Sequence, residues 1–271
     1  MTQEERWQLS GNAAHFYDRY VSLIMEPWVR RLVNVAELQP GECALDVACG
    51  TGFVARAAAH CVGVAGRVVG IDLNASMIEA ARAASGSDVV STIDWRVGDA
   101  AALPFEDDLF DVVLCQQGVQ FFPNRLGSLR QMRRVLRARG RLAFTVWSAI
   151  DDTPYQAALA DALARHVSAE AGLMARAPSA LNDPEELHRL VAAAGFKNVR
   201  VRRIIETTKL PLPEDFVPGH LAALPIAEAV ARLAPDRRAA LVEEMTHALR
   251  AYVDGEQLNL PAGSYVVTAD A

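Results

Sequence analysis

Ala44-Leu45-Asp46-Val47-Ala48-Cys49-Gly50-Thr51-Gly52 takes an apolar strand into an acidic residue and then into a glycine turn. A helix-like run, Val54–Cys61, follows at once. A buried strand that feeds a tight turn and a helix opens a ligand pocket at the strand's carboxyl end. Gly50 and Gly52 suit the turn because, lacking a Cβ, they bend sharply and let a ligand approach the backbone.

Outward from this stretch, strand and helix patterns alternate. Strand-like runs are Glu42–Ala48, Arg67–Leu73, Ile93–Val97, Asp111–Gln116 and Leu142–Trp147. Helix-like runs are Val54–Cys61, Ala75–Ala84, Arg125–Ala138 and Tyr155–Val167. Nearly continuous apolar strands separated by helices predict a parallel sheet covered on both faces. A helix over Asn182–Ala194, N-capped by Asn182 and closed by Gly195, precedes an alternating strand, Val199–Thr207. The last strand is Ser264–Thr268. Leu210–Asp215 reads as a proline-punctuated linker, and Ile226–Leu233 and Arg237–Val253 as helices. The expected fold is therefore α/β, a doubly wound sheet of seven strands, mostly parallel with one antiparallel strand. Residues 1–39 form an N-terminal helical lid. Residues 40–213 and 263–271 form the sheet domain. Residues 214–262 form a helical cap inserted before the last strand, which packs on the sheet, lines a pocket or makes a homodimer contact.

The chain has 271 residues, half of them hydrophobic, with 27 basic and 33 acidic side chains and a net charge of −6. That balance argues against nucleic acid as a partner. The densest basic run, Arg130–Arg141, interleaves with Leu129, Met132, Val135 and Leu136 at helical spacing and reads as a solvated helix face. No apolar run reaches the ~18 residues of a membrane span. The polar start, Met1–Trp7, does not read as a signal peptide. Cys43, Cys49, Cys61 and Cys115 form no C-x-x-C pair, so free thiols and a cytoplasmic location are expected, with no metal.

Four polar features fall at the carboxyl ends of successive strands. After the glycine turn comes Asp72, 20 residues past Gly52, the spacing of about 20 at which a carboxylate accepts from ribose hydroxyls. Gly98-Asp99-Ala100 follows the third strand, where an aspartate can accept from an adenine amine or simply form a turn. Gln116-Gln117 ends the fourth. A nicotinamide dinucleotide is the rival ligand, since Gly50-Thr51-Gly52-Phe53-Val54-Ala55 fits the accepted G-x-G-x-x-A variant. Asp46, inside the strand, fits better a single adenosyl group carrying a charged amino-acid tail.

This stretch resembles motif I of class I S-adenosylmethionine-dependent methyltransferases. Asp72 through Ser76-Met77-Ile78, Gly98 through Phe105, Phe110-Asp111-Val112-Val113 and Arg134 through Leu142 are similar to the later motifs of that family. Arg139 stands where the family commonly has a glycine of a Pro-Gly-Gly turn. The likeness covers about residues 40–150 and points to the small-molecule branch that includes ubiquinone and menaquinone biosynthesis enzymes. It implies a Rossmann-like fold, S-adenosylmethionine as donor and S-adenosylhomocysteine as product. It implies that Asp46, Ala48, Gly50, Thr51 and Gly52 hold the methionine part and Asp72 the ribose. Leu73 and Met77 would flank the adenine, with Gly98, Asp99 and Ala100 at its polar edge. Gln116 would meet the methionine end, and Tyr17 would touch the donor from the lid.

Methyl transfer from a sulfonium is an in-line displacement with a neutral leaving group, so positioning and exclusion of water dominate. No triad or metal cluster is needed, and none is evident. Gln117, Gln120, Phe121 and Phe122 after the fourth strand, and Trp147 after the fifth, suit a small, partly apolar acceptor. Each aromatic can equally pack under a loop. Candidate bases are His15, Tyr17 and His220, with His166 and His247 behind them, though a lone histidine is more often structural. The expected activity is methyl transfer to oxygen, carbon or nitrogen of a small molecule. A nicotinamide-dependent oxidoreductase and a non-catalytic adenosyl-binding regulator remain alternatives; Arg139 and the lack of an obvious base keep the second open.

Overall fold

The structure, a computed structural model, describes residues 20–84, 93–224 and 226–271. His15 and Tyr17 lie outside the described residues. In chain order the elements begin with α1 (Ser22–Ala36), β1 (Cys43–Val47), α2 (Phe53–Val62), β2 (Arg67–Asp72), α3 (Ala75–Ala84) and β3 (Ile93–Val97). They continue with β4 (Phe110–Gln116), α4 (Arg125–Val135), β5 (Leu136–Trp147), α5 (Pro154–His166), α6 (Ala169–Arg176), α7 (Pro184–Ala193) and β6 (Lys197–Leu210). The chain closes with α8 (Pro213–Ala223), α9 (Ala227–Ala231), α10 (Pro235–Leu249), β7 (Val253–Asp254) and β8 (Gln257–Asp270).

One sheet runs β3-β2-β1-β4-β5-β8-β6, with the two-residue β7 paired to β8. β1 pairs parallel with β2 and β4, and the order reverses between β1 and β4. β5 pairs antiparallel with β8. The mostly parallel sheet with an antiparallel strand is the one expected. Ligands bind outside the carboxyl ends of such strands where the order reverses.

The chain divides into two compact units, one of Trp28–Ser148, Leu181–Ile204 and Ser264–Ala271, the other of the described residues up to Pro27, Ala149–Ala180 and Ile205–Gly263. In the first, alternation along each strand feeds two cores. Leu45, Val47, Ile71, Val113, Cys115 and Phe144 face Leu129 and Met132 of α4 and Leu187 and Val191 of α7. Ala44, Val68, Val112 and Leu114 face Leu32 of α1, Val54 and Ala58 of α2 and Ile78 of α3. In the second unit Tyr155, Leu159, Phe216, Leu221, Leu241 and Met245 form a separate core.

Three details differ from the sequence reading. Helix α4 stops at Val135, and Leu136 already pairs with Phe110 as β5, before the register jumps to Val112–Arg141. The expected linker after Leu210 lasts only to Leu212, because Pro213 opens α8 at its first turn, where a missing N–H costs nothing. The cap of α7 is Asp183, whose carboxylate accepts from the Glu185 amide, rather than Asn182.

The basic run is braced inward rather than simply solvated. Arg134 donates to the carbonyls of Leu103 (2.9 Å) and Phe105 (2.7 Å) and pairs with Asp107. Arg137 pairs with Asp111, which also accepts from the Cys43 amide at 2.8 Å. Arg141 grips both Glu42 oxygens at 2.8 Å and the carbonyls of Ala36 and Glu37. Burial raises the Glu42 pKa, but the bonds from Arg141 and the Gln39 amide outweigh it and leave the net shift downward.

Candidate active site

The turn after β1 holds three residues in the left-handed region: Ala48 (φ 56°), Gly50 (φ 54°) and Gly52 (φ 88°). The two glycines are needed for different reasons. A Cβ on Gly52 would lie 2.3 Å from Cη2 of Trp95, a β3 side chain that also fills the space above Gly70. A Cβ on Gly50 would meet nothing within 4 Å, so that glycine borders open space. Ala48 has no such freedom; a non-glycine residue held there costs of order 1–3 kcal/mol and marks strain at a site.

Asp72 braces the turn. Its Oδ2 accepts from the Gly50 amide (2.8 Å) and its Oδ1 from the Asn74 amide (2.9 Å). Burial raises its pKa, against the pull of these two amides. Asn74 in turn accepts from the amide and hydroxyl of Ser76 at the start of α3. Leu73 is exposed and Met77 buried.

Asp46 is 1% exposed, and neither of its oxygens has a hydrogen-bond partner among the described residues. Burial holds its pKa well above the ordinary carboxyl range, and nearby Asp72 adds to the rise. The Ala55 amide and Arg56 offset this only in part. The Thr51 hydroxyl is likewise buried and unpartnered. Buried polar atoms are nearly always paired in proteins, so such a pair of orphans beneath a turn signals a ligand's place. Gly98 donates to the Asp72 carbonyl, and Asp99, exposed, accepts from the Ala101 amide at 2.8 Å. Asp99 thus forms a turn at the third strand end.

At the next strand end, Gln116 is half-buried and Gln117 takes φ 51°. Gly118 lies so close to the first turn that a Cβ there would be 2.8 Å from Ala48 Cβ. The Gln117 amide donates to the Thr145 carbonyl (2.9 Å), its Nε2 to Ser264 Oγ (2.9 Å), and Gln120 Nε2 donates to Gln117 Oε1 (3.3 Å). Phe121 is half-buried, and Trp147 sits edge-on to Trp28 at 6.0 Å. Trp95, Asn74, Thr145 and Ser264 were not foreseen. Trp95, the sole large aromatic of β3, offered the only local signal.

The structure brings Asp46, Ala48, Gly50, Thr51, Gly52 and Asp72 together through these bonds and turns, and Gly118, next to Gln117, abuts Ala48. His220 belongs to the other compact unit. It is buried, bonded through Nδ1 to the Tyr155 hydroxyl and stacked on Phe216 at 5.1 Å. Burial pushes its pKa down to about 3, which makes it a weak base. That unit also carries an open groove of about 730 Å³ lined by Leu221, Val230, Val242 and Arg238, and no residue predicted for the site is among its lining residues.

A reversing parallel sheet, a glycine turn with an orphaned carboxyl and a carboxylate at the end of the next strand define an α/β protein with a candidate ligand site at the strand ends. The Methyltransferase domain model matches residues 45–144. The nocamycin O-methyltransferase of Saccharothrix syringae is 31% identical over 258 residues, 89% of this chain and 90% of that protein. The demethylmenaquinone methyltransferase of Staphylococcus aureus is 31% identical over 214 residues, 74% of this chain and 88% of that protein. A solved Haemonchus contortus phosphoethanolamine N-methyltransferase, in complex with S-adenosyl-L-methionine, shares the fold with a TM-score of 0.55 at 16% identity, covering 96% of this chain and 60% of that one. The chain belongs to the S-adenosylmethionine-dependent methyltransferases, in their small-molecule branch, with S-adenosylmethionine as methyl donor. No helix among the described residues is long and apolar enough to cross a membrane.

Proposed function

We propose that the protein transfers a methyl group to an oxygen of a small molecule, from a donor held beside the glycine turn and the Asp72 that braces it. The observation that carries the donor site is the buried, unpartnered Asp46 carboxylate beside the unpartnered Thr51 hydroxyl. Both have bonding capacity that a ligand or its bound waters would complete. In this reading Ala48, Gly50 and Gly52 present backbone groups to the amino-acid end, and Gln116 meets it from β4. Asp72 has lone pairs left after its two amide bonds, and these accept from the ribose hydroxyls. Leu73 and Met77 flank the adenine, with Gly98, Asp99 and Ala100 at its polar edge.

When bound, S-adenosylmethionine supplies a methyl group on a sulfonium whose departure leaves a neutral thioether. A hydroxyl acceptor that takes the methyl group gives up its proton to solvent water, and the chain's own residues orient and enclose. The rigid turn, fixed by Asp72 and by Trp95 beneath Gly52, sets the donor's place, and Gln117, Gln120, Phe121 and Trp147 set the acceptor's. Such positioning is worth up to about 7–11 kcal/mol of a bimolecular barrier. Oxygen is favoured because the relative named as an O-methyltransferase aligns over 89% of this chain, against 74% for the demethylmenaquinone methyltransferase. Free cysteines at all four positions accord with a cytoplasmic enzyme.

Incubation of the full chain with methyl-labelled S-adenosylmethionine and a set of phenolic and enolic acceptors tests the reading. Label in a methyl ether supports it; label on ring carbon contradicts the oxygen assignment. No transfer to any acceptor, with S-adenosylhomocysteine binding intact, points instead to the non-catalytic alternative.

A further inference from the structure

Gln120 is 4% exposed, and its Oε1 has no hydrogen-bond partner among the described residues. Its Nε2 is engaged by Gln117, and Gln117 by Ser264, which is fully buried. The three side chains therefore form a directed relay that ends on one free acceptor atom. The relay is held at both ends. Gln117 is kept in a left-handed backbone conformation, bonded to Thr145, and Arg125 donates to the Gln120 carbonyl at 2.9 Å. A buried carboxamide oxygen left without a donor is costly. Strain and an orphaned polar atom on two residues of one short loop are features that a ligand site retains and a purely structural loop loses.

The loop's position gives the ligand. Gly118, between Gln117 and Gln120, abuts Ala48 of the donor turn. The free atom is a neutral acceptor, so it needs a donor from its ligand. Arg125, whose guanidinium grips the same residue's carbonyl and whose Nε is itself buried and unpartnered, makes the surroundings hostile to an ammonium. A carboxylate offers no proton to Oε1. A neutral hydroxyl satisfies both conditions.

We propose that Gln120 selects the methyl acceptor by accepting a hydrogen bond from a neutral hydroxyl on it. Gln117 and Ser264 are positioning residues that fix the direction of the Gln120 carboxamide. This rests on the reading of the protein as a methyltransferase with its donor at the glycine turn, and it narrows the acceptor to hydroxylated small molecules.

The probes are 4-fluorophenol and 4-fluoroanisole, which differ only in the hydroxyl proton and its replacement by methyl. Each is added at millimolar concentration to the full chain saturated with S-adenosylhomocysteine and followed by fluorine NMR. The expected result is line broadening of 4-fluorophenol at least fivefold greater than that of 4-fluoroanisole. Gln120→Leu should abolish the difference and Ser264→Ala should reduce it, while Ser264→Thr, which keeps a hydroxyl, restores it. S-adenosylhomocysteine affinity should stay within about twofold in all three, which also reports that they fold. Equal broadening of both probes by the unaltered chain, or of neither, overturns the proposal whatever the variants do. Undiminished discrimination in Gln120→Leu overturns it too. Failure of the unaltered chain to bind S-adenosylhomocysteine would instead sink the donor reading.

Discussion

Replacing Asp72 with alanine removes two charged hydrogen bonds and one candidate ligand contact in a single step. The carboxylate accepts from the Gly50 amide at 2.8 Å and the Asn74 amide at 2.9 Å. Bonds to a charged group contribute roughly 1.5–3 kcal/mol each. Burial works against that charge, as the raised pKa reports, so the lower end applies. The expected loss of folding stability is about 2–3 kcal/mol, a large share of a typical 5–15 kcal/mol domain. Binding suffers separately. Loss of the ribose acceptor costs roughly 1.5–3 kcal/mol, or about 10- to 150-fold in affinity. Asp72→Asn keeps the shape but turns one acceptor into a donor facing an amide, so it should not rescue either property. Urea denaturation reads the first effect, and calorimetric titration with S-adenosylhomocysteine, under conditions where both proteins are folded, reads the second. Affinity within twofold of the unaltered chain refutes the ribose role, and an unchanged denaturation midpoint refutes the brace.

The glycines separate in the same way. Gly52→Ala drives a Cβ into Trp95 at φ 88° and should cost roughly 2–4 kcal/mol of stability by denaturation. Gly50→Ala meets no atom and should cost only about 1–2 kcal/mol of stability while weakening S-adenosylhomocysteine binding disproportionately. Asp46 holds its proton more tightly in the folded protein than in the unfolded chain, so its contribution is complete below the unfolded pKa and is lost as pH rises through the folded value. Asp46→Asn should therefore flatten the decline of stability with rising pH while weakening donor binding; an unchanged pH profile counts against the buried charge. Glu42 is the opposite case: its folded pKa is lowered, so the Arg141 pair stabilises above the unfolded value and fails as pH falls through the folded one. Arg141→Gln should cost roughly 2 kcal/mol at neutral pH and much less in acid, measured by denaturation across pH.

Much of this fold was legible because parallel strands buried on both faces write themselves as apolar runs. Ile93–Val97 and Ala75–Ala84 match the observed elements residue for residue. The placing of the candidate polar residues at strand ends was legible for the same reason: Asp72 closes β2, Asp99 comes two residues after β3 and Gln116 closes β4. Elements set by pairing rather than pattern were not. Val135 and Leu136 keep helical spacing with Met132, yet Leu136 leaves the helix to pair with Phe110. Helix α6 is alanine-rich and short, with a buried face of only Ala171 and Gly172, too weak for periodicity to reveal. The relay needs Ser264 to meet Gln117 across 147 residues of sequence, and the floor of the glycine turn needs Trp95 from another strand. Local sequence names neither partner, although Trp95 stands out as the one large aromatic of β3.

The central claim is that the turn at Gly50, with Asp46 beneath it and Asp72 beside it, holds an adenosyl sulfonium donor rather than a dinucleotide. Calorimetric titration of the full chain with S-adenosylhomocysteine and, separately, with NAD tests it most directly. Saturable binding of S-adenosylhomocysteine at one site per chain, lost in Gly50→Val, with no heat from NAD, is the predicted result. NAD binding at that site, or no heat from S-adenosylhomocysteine, would contradict it.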